Sequence, residues 1–419
     1  MPLMALMFLV NFLDRVNLSF AALTMNEDLG LSPLTYAWGA GIFFIAYFIF
    51  EVPSNLIMER VGARLWMTRI MLSWGLVSGA MAWVQGPVSF MVVRFLLGAA
   101  EAGLVPGILL YITYWFPPRY RGRAIAGFLI TAPMSFVIAG VLSVPILRMN
   151  GVAGLAGWQW MFIIEAIPAL VLAVAVFKFM DNVPRDARWL SDAEREWLDA
   201  ELQHEARGPH ASFAKQLASL WDKRVAMLAG IYVGRTTAMY GISLFLPLIV
   251  KAMGMSNEQV GWISTIPFVF ATAGVIAWAY SSDRSNERHW HTIWTMVIAA
   301  AGLAAAAKLG TSSAALIALS FAAIGLYAQP ISFWALPPML LSASAAAGGI
   351  AFINALGNLG GFVGPYLVGW TQSVTGDYSS GLYVLATFAA VSALLGIVLS
   401  RLNWERADTQ TTEAVVRVD

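Results

Sequence analysis

The residues of this 419-residue chain best suited to chemistry are charges set inside apolar segments. From Val92 to Trp115 the sequence reads VVRFLLGAAEAGLVPGILLYITYW. That stretch is long enough to cross a bilayer, yet it holds Arg94 and Glu101. A charge at mid-membrane costs at least roughly 2.5–3.5 kcal/mol, so it persists only against a partner or a water-filled cavity. Seven residues apart on one helix, the two side chains share a face and lie about 10 Å apart along the axis. Asp14 and Arg15 sit in the first apolar segment and Arg235 in the seventh. An arginine fork receives a carboxylate through two parallel hydrogen bonds and keeps its charge at any relevant pH. Three such groups make a cavity suited to an anion. The acids are suited to coupling, because a buried acid that loses its arginine to an arriving anion takes up a proton more readily. Asp14 and Arg15 are consecutive and point about 100° apart, so they need not pair. Asp14 is expected to face Arg94 across the helix pair when the site is empty.

The elements that must position these groups are long apolar helices. The chain is 59% hydrophobic and 12% charged, about half the charge of a soluble domain. Its apolar runs are about 20 residues long and lack the alternation of a membrane barrel. The fold class is therefore an all-α membrane protein. Hydropathy places twelve transmembrane helices at roughly 2–23, 36–58, 65–85, 89–115, 122–147, 158–180, 225–250, 257–281, 290–308, 313–340, 345–371 and 380–400. The first lacks a basic start and a small-residue cleavage site, so it is not a cleavable signal. The chain divides into an N-terminal six-helix half (1–180), a cytoplasmic linker with an amphipathic helix (181–223), a C-terminal six-helix half (224–402) and a tail expected to be disordered (403–419). In the linker, Ser191 and Glu194 resemble a capping box. Of 25 lysines and arginines, nineteen fall on the side that holds both termini, among them Arg119, Arg121 and Arg123. Three, Arg148, Lys251 and Lys308, fall on the other, and three lie inside spans. That bias puts both termini in the cytoplasm. Glu59-Arg60 after the second span and Asp283-Arg284 after the eighth mark a weak internal repeat, the parallel-repeat plan of one large transporter class.

Longer motifs carry a family resemblance. NLIMERVGARLWMTR, from Asn55 to Arg69, resembles the signature loop of the major facilitator superfamily, with Glu59, Arg60, Gly62 and Arg64 in its acidic, basic and glycine places. FLDRVNLSFAALTMNEDLGLS, VVRFLLGAAEAGLVPGILLYITYWFPPRYRGRAIA, GWQWMFIIEAIPA and NALGNLGGFVGPYLVGW are similar to its anion:cation symporter branch. The resemblance spans nearly the whole chain. It implies that Arg15 and Arg94 receive a substrate carboxylate, that Asp14 and Glu101 take up the coupling protons, and that Tyr47, Trp334 and Asn354 line the substrate cavity. Phe12 and Ala132 stand where the sugar-acid permeases of that branch carry a tyrosine and a glutamine. This departure turns the reading from a sugar acid towards a dicarboxylate or aromatic acid.

Each residue also has a plainer reading. Arg94 could simply hold the first and fourth spans together, and Asp14 and Arg15 could snorkel from a span end. Arg235 divides evenly between substrate binding and neutralising a nearby acid, and Trp334 between cavity wall and core. Glu51 and Glu165 are read as structural. Asn354 and Asn358, one turn apart, are read as a substrate ligand and a packing residue. Glu59, Arg60, Arg64, Asp283 and Arg284 are read as a conformational latch. An enzyme would need a nucleophile, metal cluster or cofactor motif; the chain has no cysteine, and His204, His210, His289 and His291 all lie outside the spans. No cofactor or metal is expected, and a net charge of +1 argues against a nucleic-acid partner. The expected partners are a small organic anion, protons and the lipid bilayer. The chain is expected to work as a monomer in the inner (plasma) membrane, by proton-coupled uptake and alternating access. A sugar-acid symporter, or an anion exchanger or exporter of the same fold, is the alternative.

Overall fold

The structure is a computed structural model that describes residues 2–117, 120–121, 130–187, 189–206, 222–341 and 343–402, with the side chains of 203–206 and 343–348 outside the description. Arg119, Arg123, His210, part of the fifth apolar segment and the 403–419 tail therefore lie outside the described residues. In chain order the first half comprises α1 (Pro2–Asp28), α2 (Pro33–Val61), α3 (Ala63–Ala80), α4 (Pro87–Glu101), α5 (Leu104–Trp115), α6 (Thr131–Leu147) and α7 (Gly157–Phe179). After α8 (Asp192–Ala206) come α9 (Lys223–Ala252), α10 (Asn257–Ile263), α11 (Ile266–Ser285), α12 (His289–Leu309), α13 (Ala315–Phe333), α14 (Leu336–Leu340), α15 (Ala343–Thr375) and α16 (Ser379–Arg401). Among the described residues, ten segments are long and apolar enough to cross a membrane, with α4–α5 and α10–α11 each counting as one. The shorter α6 and the arginine-bearing α3 pack among them and complete twelve.

The pairing of helices repeats. In the first half α1 packs on α6 and α7, α2 on α4, and α3 on α4 and α7. In the second half α9 packs on α15 and α16, α11 on α13, and α12 on α13 and α16. The two sets correspond helix for helix under a two-fold operation. The same operation relates the contacts between halves, α2 with α15 and α11 with α6, while α1 meets α9. These contacts run from the end opposite the arginine-rich loops to the middle of the molecule. At that end Arg148 pairs with Glu258 and the Tyr36 hydroxyl donates to the Leu244 carbonyl at 3.0 Å. Deeper in, Phe136 stacks on Phe268 at 4.0 Å between ring centroids.

The fourth span is not the single helix its sequence suggested. It breaks immediately after Glu101, where Ala102 turns to an extended ψ of 132° and Gly103 takes a φ of +91°. Glycine is needed there twice over. The backbone is left-handed, and a Cβ on Gly103 would lie 2.3 Å from the Ser54 hydroxyl. The α8 cap follows its sequence: Ser191 Oγ donates to Glu194 at 2.7 Å and accepts from its N–H at 3.3 Å. The Ser191 hydroxyl, and after it the Ser191 backbone N–H at 2.9 Å, donate to the Glu194 carboxylate and hold it below its ordinary value.

Helix α4 approaches α2 closely because Gly98 has no side chain. A Cβ there would meet the Phe43 carbonyl oxygen at 2.1 Å, and a backbone atom cannot rotate away. Gly98→Val should therefore push α4 off α2 at a cost of at least about 1–3 kcal/mol, the usual range for overpacking. The expected outcome is a lower unfolding temperature and a broadened size-exclusion profile in detergent.

Candidate functional site

The buried charges gather at mid-molecule around Arg15, which is 9% exposed. Its Nε donates to Glu101 Oε1 at 2.8 Å and its Nη2 makes a second, shorter bond to the same oxygen. Its Nη1 donates to the Tyr240 hydroxyl at 2.8 Å. Glu101 belongs to the first half and Tyr240, on α9, to the second, so one guanidinium spans the interface. The rings of Phe12, Phe43, Phe44 and Tyr47 surround it, with centroids 5.2–5.8 Å from Cζ. Aromatic faces attract a cation while excluding water. Phe12 thus supplies an apolar wall where a tyrosine would have offered a hydroxyl.

Arg94 lies deeper, 2% exposed. Its Nε donates to the Gly39 carbonyl at 3.2 Å and its Nη2 to the Ala40 carbonyl at 3.4 Å, under the Phe43 ring at 4.8 Å. Asp14, expected to face Arg94, makes no hydrogen bond to it. Asp14 instead accepts a short bond from the Ser78 hydroxyl on α3, and its second oxygen is buried with no hydrogen-bond partner. The reason is geometric: three residues before Asp14, Asn11 continues the same α1 face, and Asn17 follows three residues after. That face turns into the first half, whereas Arg15 turns towards the interface. Arg94 is drawn instead to α2 carbonyls that the close α2–α4 approach brings within reach.

Arg235 neutralises no acid in the contacts it makes. Its Nε donates to the Leu326 carbonyl on α13 at 2.8 Å, and Tyr232 covers it at 5.8 Å. Trp334 is half-buried and packs edge-on against Tyr232 at 4.8 Å. Tyr47 is buried on the α2 face that carries Phe44. Among the described residues, none of the bonds of the latch candidates Arg64, Asp283 and Arg284 reaches the opposite half. Arg64 N donates to Asn182 at 2.9 Å and its Nε to the Phe177 carbonyl at 2.6 Å. Asp283 pairs with Arg288 at 2.8 Å and Arg284 donates to the Tyr280 hydroxyl at 3.2 Å, while Glu59 and Arg60 are exposed.

Glu51, read from the sequence as structural, and Asn358, read as packing, meet in a contact between the two halves. Asn354 Nδ2 donates to Glu51 Oε1 at 2.9 Å, and Asn358 Nδ2 donates to Glu51 Oε2 at 2.8 Å. Glu51 is on α2 and the asparagines on α15, so this is a second polar bridge between the halves. The signal was available in the spacing: Phe44, Tyr47 and Glu51 recur at helical intervals on one α2 face, and the asparagines are four apart.

A multi-pass helical bundle of two equivalent halves, with buried charges where they meet, defines a membrane carrier. The Major Facilitator Superfamily model matches residues 4–256 and 226–414, and the chain belongs to that superfamily. It is similar to a putative tartrate transporter of Agrobacterium vitis, 47% identical over 98% of this chain and 91% of that protein. It is 40% identical to a quinolone resistance transporter of Acinetobacter baumannii, over 99% of this chain and 95% of that one. Among solved structures, a bacterial homologue of the human lysosomal transporter Spinster, inward-facing and unoccupied, superimposes with a TM-score of 0.77. At 16% identity over 95% of this chain and 96% of that one, this likeness shows the fold alone. The protein is thus a multi-pass membrane transporter and not an enzyme.

Removing one partner from a buried ion pair strands the other charge, at roughly 3–5 kcal/mol. Arg15→Ala should therefore lower the unfolding temperature of the purified protein sharply. Arg15→Met combined with Glu101→Leu should restore most of that loss, because the pair then leaves no lone charge. Chemical unfolding in detergent reads both.

Proposed function

We propose that this transporter carries a small organic carboxylate, a dicarboxylate or an aromatic acid, by alternating access coupled to protons. The observation that carries the reading is the Arg15 junction. A buried guanidinium is shared between a carboxylate of one half and a hydroxyl of the other. A substrate carboxylate has the same chemistry as Glu101 and competes for the same donors. Once it takes Arg15, Glu101 is left in a dry site without its counter-charge and binds a proton. Asp14, which accepts from the Ser78 hydroxyl, is the second proton acceptor. Arg94 and Arg235 are each held by neutral carbonyls, with no carboxylate bonded to either among the described residues, and they set the sign of the cavity. Tyr47, Trp334 and Asn354 complete the substrate wall. Glu59, Arg60, Arg64, Asp283 and Arg284 govern closure at the arginine-rich end, which faces the cytoplasm together with both termini. The relative named as a putative tartrate transporter supports the carboxylate. The relative named as a quinolone resistance transporter is the one observation that favours export.

Proteoliposomes test this directly. With an inward proton gradient, labelled tartrate or phthalate should accumulate, and Arg94→Ala should lower the rate by at least about tenfold, the weight of one lost charge-assisted contact. Asp14→Asn should abolish gradient-driven accumulation while retaining exchange of external for internal anion. Accumulation that ignores the gradient and requires internal anion would instead identify an exchanger.

Orientation has its own measurement. The chain has no cysteine, so a single one at Ser285 has no background. An impermeant maleimide should label it in everted vesicles and leave it unlabelled in intact cells.

A further inference from the structure

The bridge between Glu51 and the two asparagines has the form of a filled binding site. Two amide N–H donors, one turn apart on α15, each take one oxygen of the same carboxylate, at 2.9 and 2.8 Å. The donors are neutral and rigidly spaced, and nothing in them distinguishes a glutamate side chain from a free acid. The carboxylate that fills them comes from the opposite half of the molecule and is 6% exposed. Its place on α2 is four residues after Tyr47, whose ring lies 5.2 Å from the Arg15 guanidinium carbon. The carboxylate that fills the asparagine pair therefore leaves α2 about one helical turn from the residue whose ring packs on Arg15.

We propose that Asn354 and Asn358 are the docking point for a second carboxylate of the transported anion, and that Glu51 occupies it in the empty protein as an internal competitor. The proposal rests on the reading of the protein as an organic-anion carrier and adds Glu51 and Asn358 to its site. A diacid with one carboxylate on Arg15 reaches the asparagine pair with the other and must displace Glu51. A monoacid engages Arg15 alone and leaves the Glu51 bridge in place. Glu51 thus lowers the apparent affinity for diacids specifically, by the fraction of time it holds the donors. It also keeps the amide donors satisfied when no ligand is bound, since unpaired buried donors are costly.

Equilibrium binding to the purified full-length protein in detergent separates the possibilities, with labelled tartrate as the diacid and its monoamide as the one-carboxylate probe. In Glu51→Gln the side chain keeps its size but accepts through one oxygen only and turns its own N–H donors towards the asparagines. This variant should bind tartrate about tenfold more tightly and the monoamide within about twofold of wild type. The Asn358→Ala variant should lose at least about tenfold for tartrate and little for the monoamide. Retained monoamide binding shows that each variant is folded. A Glu51→Gln protein that binds both probes as wild type does, or shifts both equally, overturns the proposal while leaving the carrier reading intact. Wild-type protein that binds neither probe overturns the reading of tartrate-like diacids as its substrate, and the proposal with it.

Discussion

The constraint on which the rest depends is a single guanidinium that must be satisfied in a place without water. Burying a charge is tolerable only when its geometry is saturated. Arg15 meets this through Glu101 on its own half and the Tyr240 hydroxyl on the other, with aromatic rings closing the remaining sides. Much of the local architecture follows. Glu101 must arrive at the right depth, so the fourth span ends its first helix there and steps aside through a left-handed glycine. Phe43 must reach both Arg15 and Arg94, so α4 packs on α2 through Gly98 at backbone distance. A broken helix at membrane depth is tolerable where its freed backbone is buried in protein.

Such an arrangement suits a carrier because its strongest contacts are exchangeable. Neither bridge between the halves at this depth is an apolar seam. One is an arginine that reaches a hydroxyl, and the other is a carboxylate held by two amides. Polar contacts of this kind can be replaced by the polar groups of a ligand at little net cost, whereas an interlocked hydrophobic interface could not open without exposing its area. Apolar contacts also join the halves, Phe44 on Tyr240 beside Arg15 and Phe136 on Phe268 nearer the end opposite the arginine-rich loops.

The twelve-helix fold was legible in the sequence because hydrophobic run length and charge placement are one-dimensional properties. Arg94, Glu101 and Arg15 were legible for a related reason: a charge in an apolar run is conspicuous without any knowledge of its neighbours. The partners were not. Asp14 beside Ser78, Arg94 on the Gly39 and Ala40 carbonyls, and Glu51 with its asparagines are all contacts between segments far apart in sequence. Their choice depends on how closely two helices approach, which small residues permit but do not specify. The break after Glu101 was foreshadowed by Gly103 and Pro106, residues that allow either a bend or close packing.

The two-fold correspondence of the halves fails at one informative place. Arg15 and Arg235 occupy matching positions on matching helices, α1 and α9, and each reaches towards the counterpart fourth helix of its half. On the first half that helix offers the Glu101 carboxylate, and on the second only the Leu326 backbone carbonyl. Asp14, Glu51, Glu101 and Glu165 all lie on the first half. A change of charge on any of them alters the first half only, while the second half keeps Arg235 on a backbone carbonyl. The buried acids thus sit on one side of a two-fold fold, and its two halves, alike in their helices, are not electrically interchangeable.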